Sequence, residues 1–209
     1  MEHEQLSLRE RKQRRTRETI IATALALFAE RGFDRVTVDE IAAGAEVGRT
    51  TFFRYFVDKQ ELLFADDDEL MEALTYAVEP AAAQHAPIGD ALETAIGVTR
   101  IGLLAMTRVI GRRGSAWLRT RQQLVLANPA LTARSLVKEQ QYAHAAVQIL
   151  TSHGASRDTA VLATGIAAAC YQTAQAITAD RPGDLSNAVN QAFRRVTTLD
   201  RRRLLRATS

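Results

Sequence analysis

The sequence predicts an all-α protein of about nine helices, with a small three-helix domain ahead of a larger helical one. Three observations predict it. Only four prolines and eleven glycines interrupt 209 residues, and Ala, Leu, Arg, Glu and Gln dominate between them, a composition that favours helix. Apolar residues recur at helical spacing, and no alternating β-branched run bounded by turn residues reads as a strand. Pairs of the Ser/Thr-x-x-Glu kind, which satisfy orphan amides at helix starts, precede apolar runs.

Taken in order, Ser7 and Glu10 fit a capping box at the start of the first helix, where Ile20, Ala24, Leu27 and Phe28 share a face and Gly32 stands as a terminating glycine. Thr37 and Glu40, in "TVDE", frame a second box for a short helix ending around Gly44 to Glu46. A third helix must fit between Gly48 and Phe56, because Asp58 and Glu61 form the next cap pair. Two short helices joined by a tight turn are the pattern of a helix-turn-helix unit. Beyond it the spacing predicts helices from Lys59 to about Val78, ended by Pro80, from Ile88 to Ile110, and from Ser115 to Ala127. Asn128 and Pro129 form a cap and first-turn pair opening a helix to about Ser152. Ser156 and Asp158 open the Ala-rich next helix, and "RPGD" at 181–184 separates it from a last one, Leu185 to about Leu205. The division expected is 1–58, with a basic arm at 1–15, and 59–209.

The net charge of +3 hides an uneven distribution. Residues 9–17 carry Arg9, Arg11, Lys12, Arg14, Arg15 and Arg17 against Glu10 alone, which suggests a polyanion partner beside the alternative of a solvated helix face. From Glu61 to Glu93 there are nine acids and no Lys or Arg; from Arg100 to Lys138 there are only bases. No run approaches the roughly 20 uninterrupted apolar residues of a bilayer-crossing helix, and the charged N-terminus has no signal-like apolar core. With a single cysteine, Cys170, these features lead to the expectation of a cytoplasmic protein without disulfides or membrane attachment. His3, His85, His144 and His153 lack metal-site spacing. No paired carboxylates, base-activated nucleophile or phosphate-cradling glycine loop points to catalysis, so no enzyme activity, metal or cofactor is expected. Cys170, in an Ala-rich helix, reads as a small buried residue.

"VGRTTFFRYFVDK", residues 47–59, carries the binding chemistry. On a helix starting near Gly48, Phe52 and Phe56 lie one turn apart and pack inward with Val38, Ile41 and Val47. Arg49, Thr50, Phe53, Arg54 and Tyr55 are left outward or at the edges. In a helix-turn-helix the first residues of the second helix reach base edges in the major groove, and the arginine fork matches a guanine edge. Lys59 would add a point charge suited to phosphate.

"TRETIIATALALFAERGFDRVTVDEIAAGAEVGRTTFFRYFVDKQELL", residues 16–63, resembles the DNA-binding domain of the TetR family of bacterial transcriptional repressors, above all in "LFAERGF", "TVDEIA" and "FFRYF..K". The resemblance implies DNA-backbone contacts from Thr37, Tyr55 and Lys59. It places Arg49, Thr50, Phe53 and Arg54 on the recognition helix, with Thr51 near the backbone. It also implies a homodimer whose last two helices pair as a four-helix bundle, and a double-stranded operator as partner. Three positions depart from the family's pattern: Gly48 where Ser is frequent, Phe53 where Tyr is usual, and Glu46 where Gly is common. Glu46 must then adopt a left-handed conformation or the turn must differ.

The rest of the chain resembles the family only in architecture, which implies a small-molecule effector. "GRTTFFRYF" followed by "FADDDEL" is also similar to a subgroup associated with acyl-coenzyme A ligands and the mycofactocin regulator. An effector pocket would draw on Met106, Trp117, Leu118 and Tyr142 as apolar walls and on Arg108 and Arg121 as cations, against the alternative that these arginines lie on solvated faces. The face Leu185, Val189, Ala192, Phe193 and Val196 of the last helix suits either a dimer interface or internal core. A second reading, a helical acyl-binding protein or small enzyme whose first domain is only a packing module, is distinguished by ligand binding without DNA affinity.

Overall fold

The computed structural model of the chain describes residues 7–178 and 184–198. Among the described residues there are nine α-helices, one short 3-10 turn and no strand. In order they are α1 (Leu8–Arg31), α2 (Val38–Gly44), α3 (Arg49–Tyr55), the 3-10 turn Glu61–Phe64, α4 (Asp67–Ala83), α5 (Leu92–Gly111), α6 (Ser115–Ala127), α7 (Pro129–Ser152), α8 (Arg157–Ile177) and α9 (Leu185–Thr197). The chain divides into two compact units, one holding the residues up to Ala65 together with Thr120–Thr132, the other Asp66–Arg119 and the residues from Ala133 onward. The boundary expected after Asp58 therefore falls at Ala65, because Leu62, Leu63 and Phe64 are buried in the first core.

Side-chain caps set four of the nine described helix starts. Ser7 accepts from the Glu10 amide at 3.2 Å while Glu10 accepts from the Ser7 amide at 2.8 Å. Thr37 and Glu40 repeat the exchange at 3.2 and 2.8 Å. Each reciprocal pair satisfies two orphan donors. Both acids are held below the usual carboxylate range, Glu10 by Ser7's side chain and amide, Glu40 by the Thr37 amide and then its hydroxyl. Asn128 accepts from Ala130 and Leu131 at the start of α7, and Ser156 from Thr159 at the start of α8.

The first helix starts at Leu8, as the Ser7 and Glu10 pair predicts, so residues 8–15 of the expected basic arm are helical; residues 1–6 lie outside the described residues, as do 181–183 of "RPGD" and the expected end of the last helix beyond 198. Three boundaries differ from expectation. The helix expected from Lys59 is a 3-10 turn followed by α4, since three consecutive apolar residues must all face the core. The Asp58 and Glu61 pair serves that turn: Asp58 accepts from the Glu61 amide at 2.8 Å. Pro80 does not end α4, which runs on to Ala83; the ring removes one hydrogen bond, but Ala82 beyond it is fully buried and anchors the last turn. The helix expected from Ile88 begins at Leu92, because Ile88 and Gly89 instead donate to the carbonyls of His153 and Gly154 at 3.1 and 2.9 Å.

The first unit packs Ile20, Ile21, Ala24 and Phe28 of α1 against Ile41 and Ala42 of α2, Phe52 and Phe56 around α3, the 3-10 turn and Leu131. Gly44 lets α2 approach α1: a Cβ there would stand 2.9 Å from Thr23 Cγ2. The second unit packs α4, α5, α8 and α9 around Val78, Ala95, Leu150, Ala160 and Phe193. A Cβ on Gly102 would meet Val78 Cγ2 at 2.4 Å, which sets how closely α4 and α5 lie. The α9 face Leu185, Ala188, Val189, Ala192 and Phe193 is buried, so it is internal core, and Val196 packs against it. Cys170 is also buried, and burial pushes its thiol above the usual range. By length and mean hydropathy (1.3 and 1.2) α5 and α8 would suit a bilayer. Both are instead packed into this core, and Arg100 of α5 donates to Asn190 of α9 at 3.0 and 2.6 Å.

Candidate nucleic-acid interface

The α2–turn–α3 segment is held from within by its apolar residues. Phe52 and Phe56 are buried with ring centroids 5.7 Å apart, and Ile41 of α2 is fully buried beside them. The turn closes through Ala45, Glu46 and Val47 amides donating to Ile41, Ala43 and Ala42 carbonyls at 2.9, 3.1 and 2.9 Å. Of the two alternatives, Glu46 takes the left-handed conformation, at φ 55°, where a residue with a Cβ is strained by about 1–2 kcal/mol. Gly48 gives α3 no side-chain cap. The position of α3 therefore rests on Phe52 and Phe56 rather than on its own end chemistry.

Around that core the polar residues of α3 face outward. Arg49, Thr50, Phe53 and Arg54 are exposed, Thr51 and Tyr55 half-exposed. Arg49 lies over the Phe53 ring at 5.4 Å and Arg54 over the Tyr55 ring at 5.2 Å. Arg49 Nη1 also donates to both carboxylate oxygens of Asp39 on α2, at 2.6 and 2.8 Å. Arg49 is thus oriented by a carboxylate on one side and a ring on another.

Lys59 and Thr37, expected to meet DNA, and Arg17, read either as solvated or as facing a polyanion, all have partners within the protein. Lys59 Nζ donates to the Phe33 and Val36 carbonyls at 2.9 Å each and lies 3.4 Å from that of Asp34. An ammonium has three donors, and two of them are taken up by the 2.9 Å contacts. Thr37 gives its single hydroxyl proton to Glu40 at 2.8 Å, so its hydroxyl must leave the cap to donate to phosphate. Arg17, among the basic residues of the N-terminus, donates to the Ala65 carbonyl and sits 5.5 Å over the Phe56 ring. Arg14 and Arg15 remain exposed.

A cleft of about 430 Å³ in the same unit is lined by Leu8, Arg9, Lys12, Gln13, Thr16, Arg54 and Tyr55. It has three cations and no acid, so it favours an anion. The sequence showed Arg9 and Lys12 only as parts of a charge run. Their four-residue approach to Thr16 along α1 marks one helix face, but that Arg54 joins them is a tertiary fact. Asp39 was missed altogether, because an acid in a helix's first turn is ordinary cap chemistry.

The residues considered for an effector are dispersed in their uses. Met106 is core and Leu118 is buried. Tyr142 packs against the second core and donates its hydroxyl to Asp67, which also accepts from Lys138. Trp117 lies under Arg113, whose guanidinium forks onto Asp66 with Nε 3.0 and 2.9 Å from its oxygens. Arg108 is exposed. Arg121 belongs to the first unit, where Nε donates to the Leu63 carbonyl at 2.6 Å and the guanidinium lies 5.1 Å over Phe64. Much of the basic run after Arg100 thus answers the acidic run before it, with Arg112 on Glu69 and Lys138 on Asp67.

Comparison with known proteins adds to this geometry. Residues 20–65 match the family described as bacterial regulatory proteins, tetR family. The HTH-type transcriptional regulator TcmR of Streptomyces glaucescens is 35% identical over 137 residues, covering 64% of this chain and 58% of that protein. Among solved structures, a transcriptional regulator from Aquifex aeolicus aligns over 87% of this chain and 98% of its own, with TM-score 0.55 and 15% identity. FadR of Thermus thermophilus in complex with lauroyl-CoA aligns over 88% and 96%, with TM-score 0.52 and 23% identity. At such identities the likeness to the two solved structures is one of fold.

Proposed function

We propose that the chain is a member of the TetR family of bacterial regulatory proteins, as its match over residues 20–65 and its likeness to TcmR support, and that it acts in the cytoplasm as a homodimeric, effector-responsive repressor of transcription. The observation that carries the reading is α3, anchored by Phe52 and Phe56 and presenting Arg49, Thr50, Phe53 and Arg54 outward. Two such helices in a dimer would enter successive major grooves about 34–36 Å apart on a pseudo-palindromic operator. Thr51 and Tyr55, at the edges of α3, would approach the DNA backbone. The cleft of Arg9, Lys12 and Arg54 would take phosphates flanking the groove, sequence-independent contacts that fix register.

Dimerisation is proposed through α8, whose outward face carries exposed Val161, Leu162 and Ile177 with Gly165, Ala169 and Ala176 between them. Small residues at that spacing let a second helix approach closely. The effector is proposed to bind the second unit, with Met106, Trp117, Leu118 and Tyr142 as apolar contacts and Arg108 as a cation for an acidic ligand such as an acyl-coenzyme A. An effector-to-DNA coupling of about 1–3 kcal/mol would suffice to release the operator 5- to 150-fold.

The test is binding of purified full-length protein to its own upstream DNA, by fluorescence anisotropy across a salt series. Sequence-selective, salt-dependent binding is expected, with Arg49→Ala relaxing base preference and Arg9→Ala plus Lys12→Ala weakening all sequences alike. Failure to prefer any sequence at low salt would overturn the reading. Adding lauroyl-CoA tests the effector class, and release by it but not by coenzyme A alone would support an acyl ligand.

A further inference from the structure

Arg49 is the first residue of α3 and Asp39 lies in the first turn of α2, so the helix-turn-helix itself brings them together. One nitrogen, Nη1, contacts both Asp39 oxygens at 2.6 and 2.8 Å, and the guanidinium carbon sits 5.4 Å from the centre of the Phe53 ring. Both partners are more than half exposed, at 63% and 65%. Pairs of that exposure contribute little to stability. What the contact does is geometric. Of five guanidinium donors in a rigid plane, Asp39 engages only those of Nη1, leaving Nε and Nη2 as a free edge. That edge is the two-donor fork that matches O6 and N7 of guanine.

We propose that Asp39 is a specificity-determining positioning residue: it holds Arg49 with a fixed edge toward the bases and keeps it from neighbouring phosphates. The inference rests on the DNA-binding reading above. Two physical effects support it. A long arginine loses rotamer freedom when it meets a base, and a side chain already held by a carboxylate and a ring has less to lose. A carboxylate beside the groove also repels phosphate oxygens, so it disfavours every register in which Arg49 would gain a backbone contact in place of a guanine. Asp39 therefore lowers affinity for DNA at large while raising preference for one base pair.

These signs oppose each other, and a merely structural acid would not produce them. The experiment is binding to a randomised operator library followed by sequencing, for wild type, Arg49→Ala, Asp39→Asn, Asp39→Ala and Asp39→Glu. Thermal melting of each variant serves as a fold control. Arg49→Ala identifies its base-pair position by loss of preference there, about 5- to 150-fold. Asp39→Asn and Asp39→Ala are expected to reduce preference at that same position about 2- to 12-fold, the equivalent of ordering one long side chain. They should also bind random DNA more tightly, and Asp39→Glu should restore much of the preference. Unchanged preference at the Arg49 position in folded Asp39 variants would overturn the proposal. So would a loss at a different position, which would make Asp39 a direct reader of a base, for instance a cytosine amino group. Wild type without any sequence preference would instead overturn the DNA-binding reading itself.

Discussion

Replacing Lys59 by Met separates two roles for a lysine that the sequence places in the DNA face. Methionine keeps an unbranched apolar stem against the Phe33 ring, which the lysine Nζ overlies at 4.5 Å, but removes the charge and all three donors. The carbonyls of Phe33 and Val36 then each lose a charged donor at 2.9 Å; the 3.4 Å contact to Asp34 counts for little. Hydrogen bonds from charged groups contribute about 1.5–3 kcal/mol each when buried. Because this turn is only part-buried and water can reach its carbonyls, the low end applies, about 2–3 kcal/mol for the pair. For a chain of this length that is a fall of about 4–12 °C in Tm.

The assay joins two measurements on full-length protein: thermal unfolding followed by far-UV circular dichroism, and binding to random-sequence DNA across a salt series well below the melt. The expected outcome is a lowered Tm with an unchanged slope of log K against log salt. An unchanged Tm with a slope reduced by about 1 per protomer would mean that the ammonium neutralises a phosphate. The interior role for Lys59 would then be wrong.

Three further outcomes are expected. Glu46→Gly should relieve the left-handed strain at φ 55° and raise stability by about 0.5–1 kcal/mol after the entropic cost of glycine; a lower Tm would refute it. Gly102→Ala should cost about 1–3 kcal/mol in urea unfolding by driving a Cβ into Val78 and Leu74, and Val78→Ala should cost less in that background than alone. Because the folded pKa of Glu40 is lowered, its stabilising contribution is complete above the usual carboxylate range and is lost as pH falls through the lowered value. Glu40→Gln should therefore flatten the acid limb of the stability profile, and superimposable acid limbs would count against the capping box as its source.

What the sequence made legible was local. The capping boxes at Ser7 and Thr37, the Asn128–Pro129 start and the alternation of Phe52 and Phe56 with outward neighbours all involve residues within one turn of each other, so spacing alone reveals them. Glu46 was legible for the same reason, as a non-glycine in a turn that needs positive φ. What spacing does not reveal has an opposite cause. Lys59, Arg17 and Arg121 donate to main-chain carbonyls 23 to 58 residues away, and a carbonyl is the same for every residue type, so nothing in the chain's lettering marks the acceptor. Pro80 looked like a stop because its local cost is fixed, whereas the packing that keeps α4 helical beyond it, from Leu74 and Val78 to Ala81 and Ala82, depends on the fold of the second unit.

The same division bears on Phe53. A tyrosine, the residue usual there in the family the chain resembles, would carry a hydroxyl able to donate to phosphate, and phenylalanine has none. In the structure the ring is 45% exposed, packs edge-on against Phe52 at 5.4 Å, and offers its face to Arg49. A ring face attracts a guanidinium electrostatically with or without a hydroxyl, so Phe53 retains the contribution that matters to Arg49. With Asp39 on the other side of that arginine, the groups around the first residue of α3 would orient a reader of bases under the proposed function. Backbone neutralisation in this surface would then fall to residues of the α1 cleft, Arg9, Lys12 and Arg54. Affinity and selectivity would thus be carried by separate side chains, and each can be altered without the other.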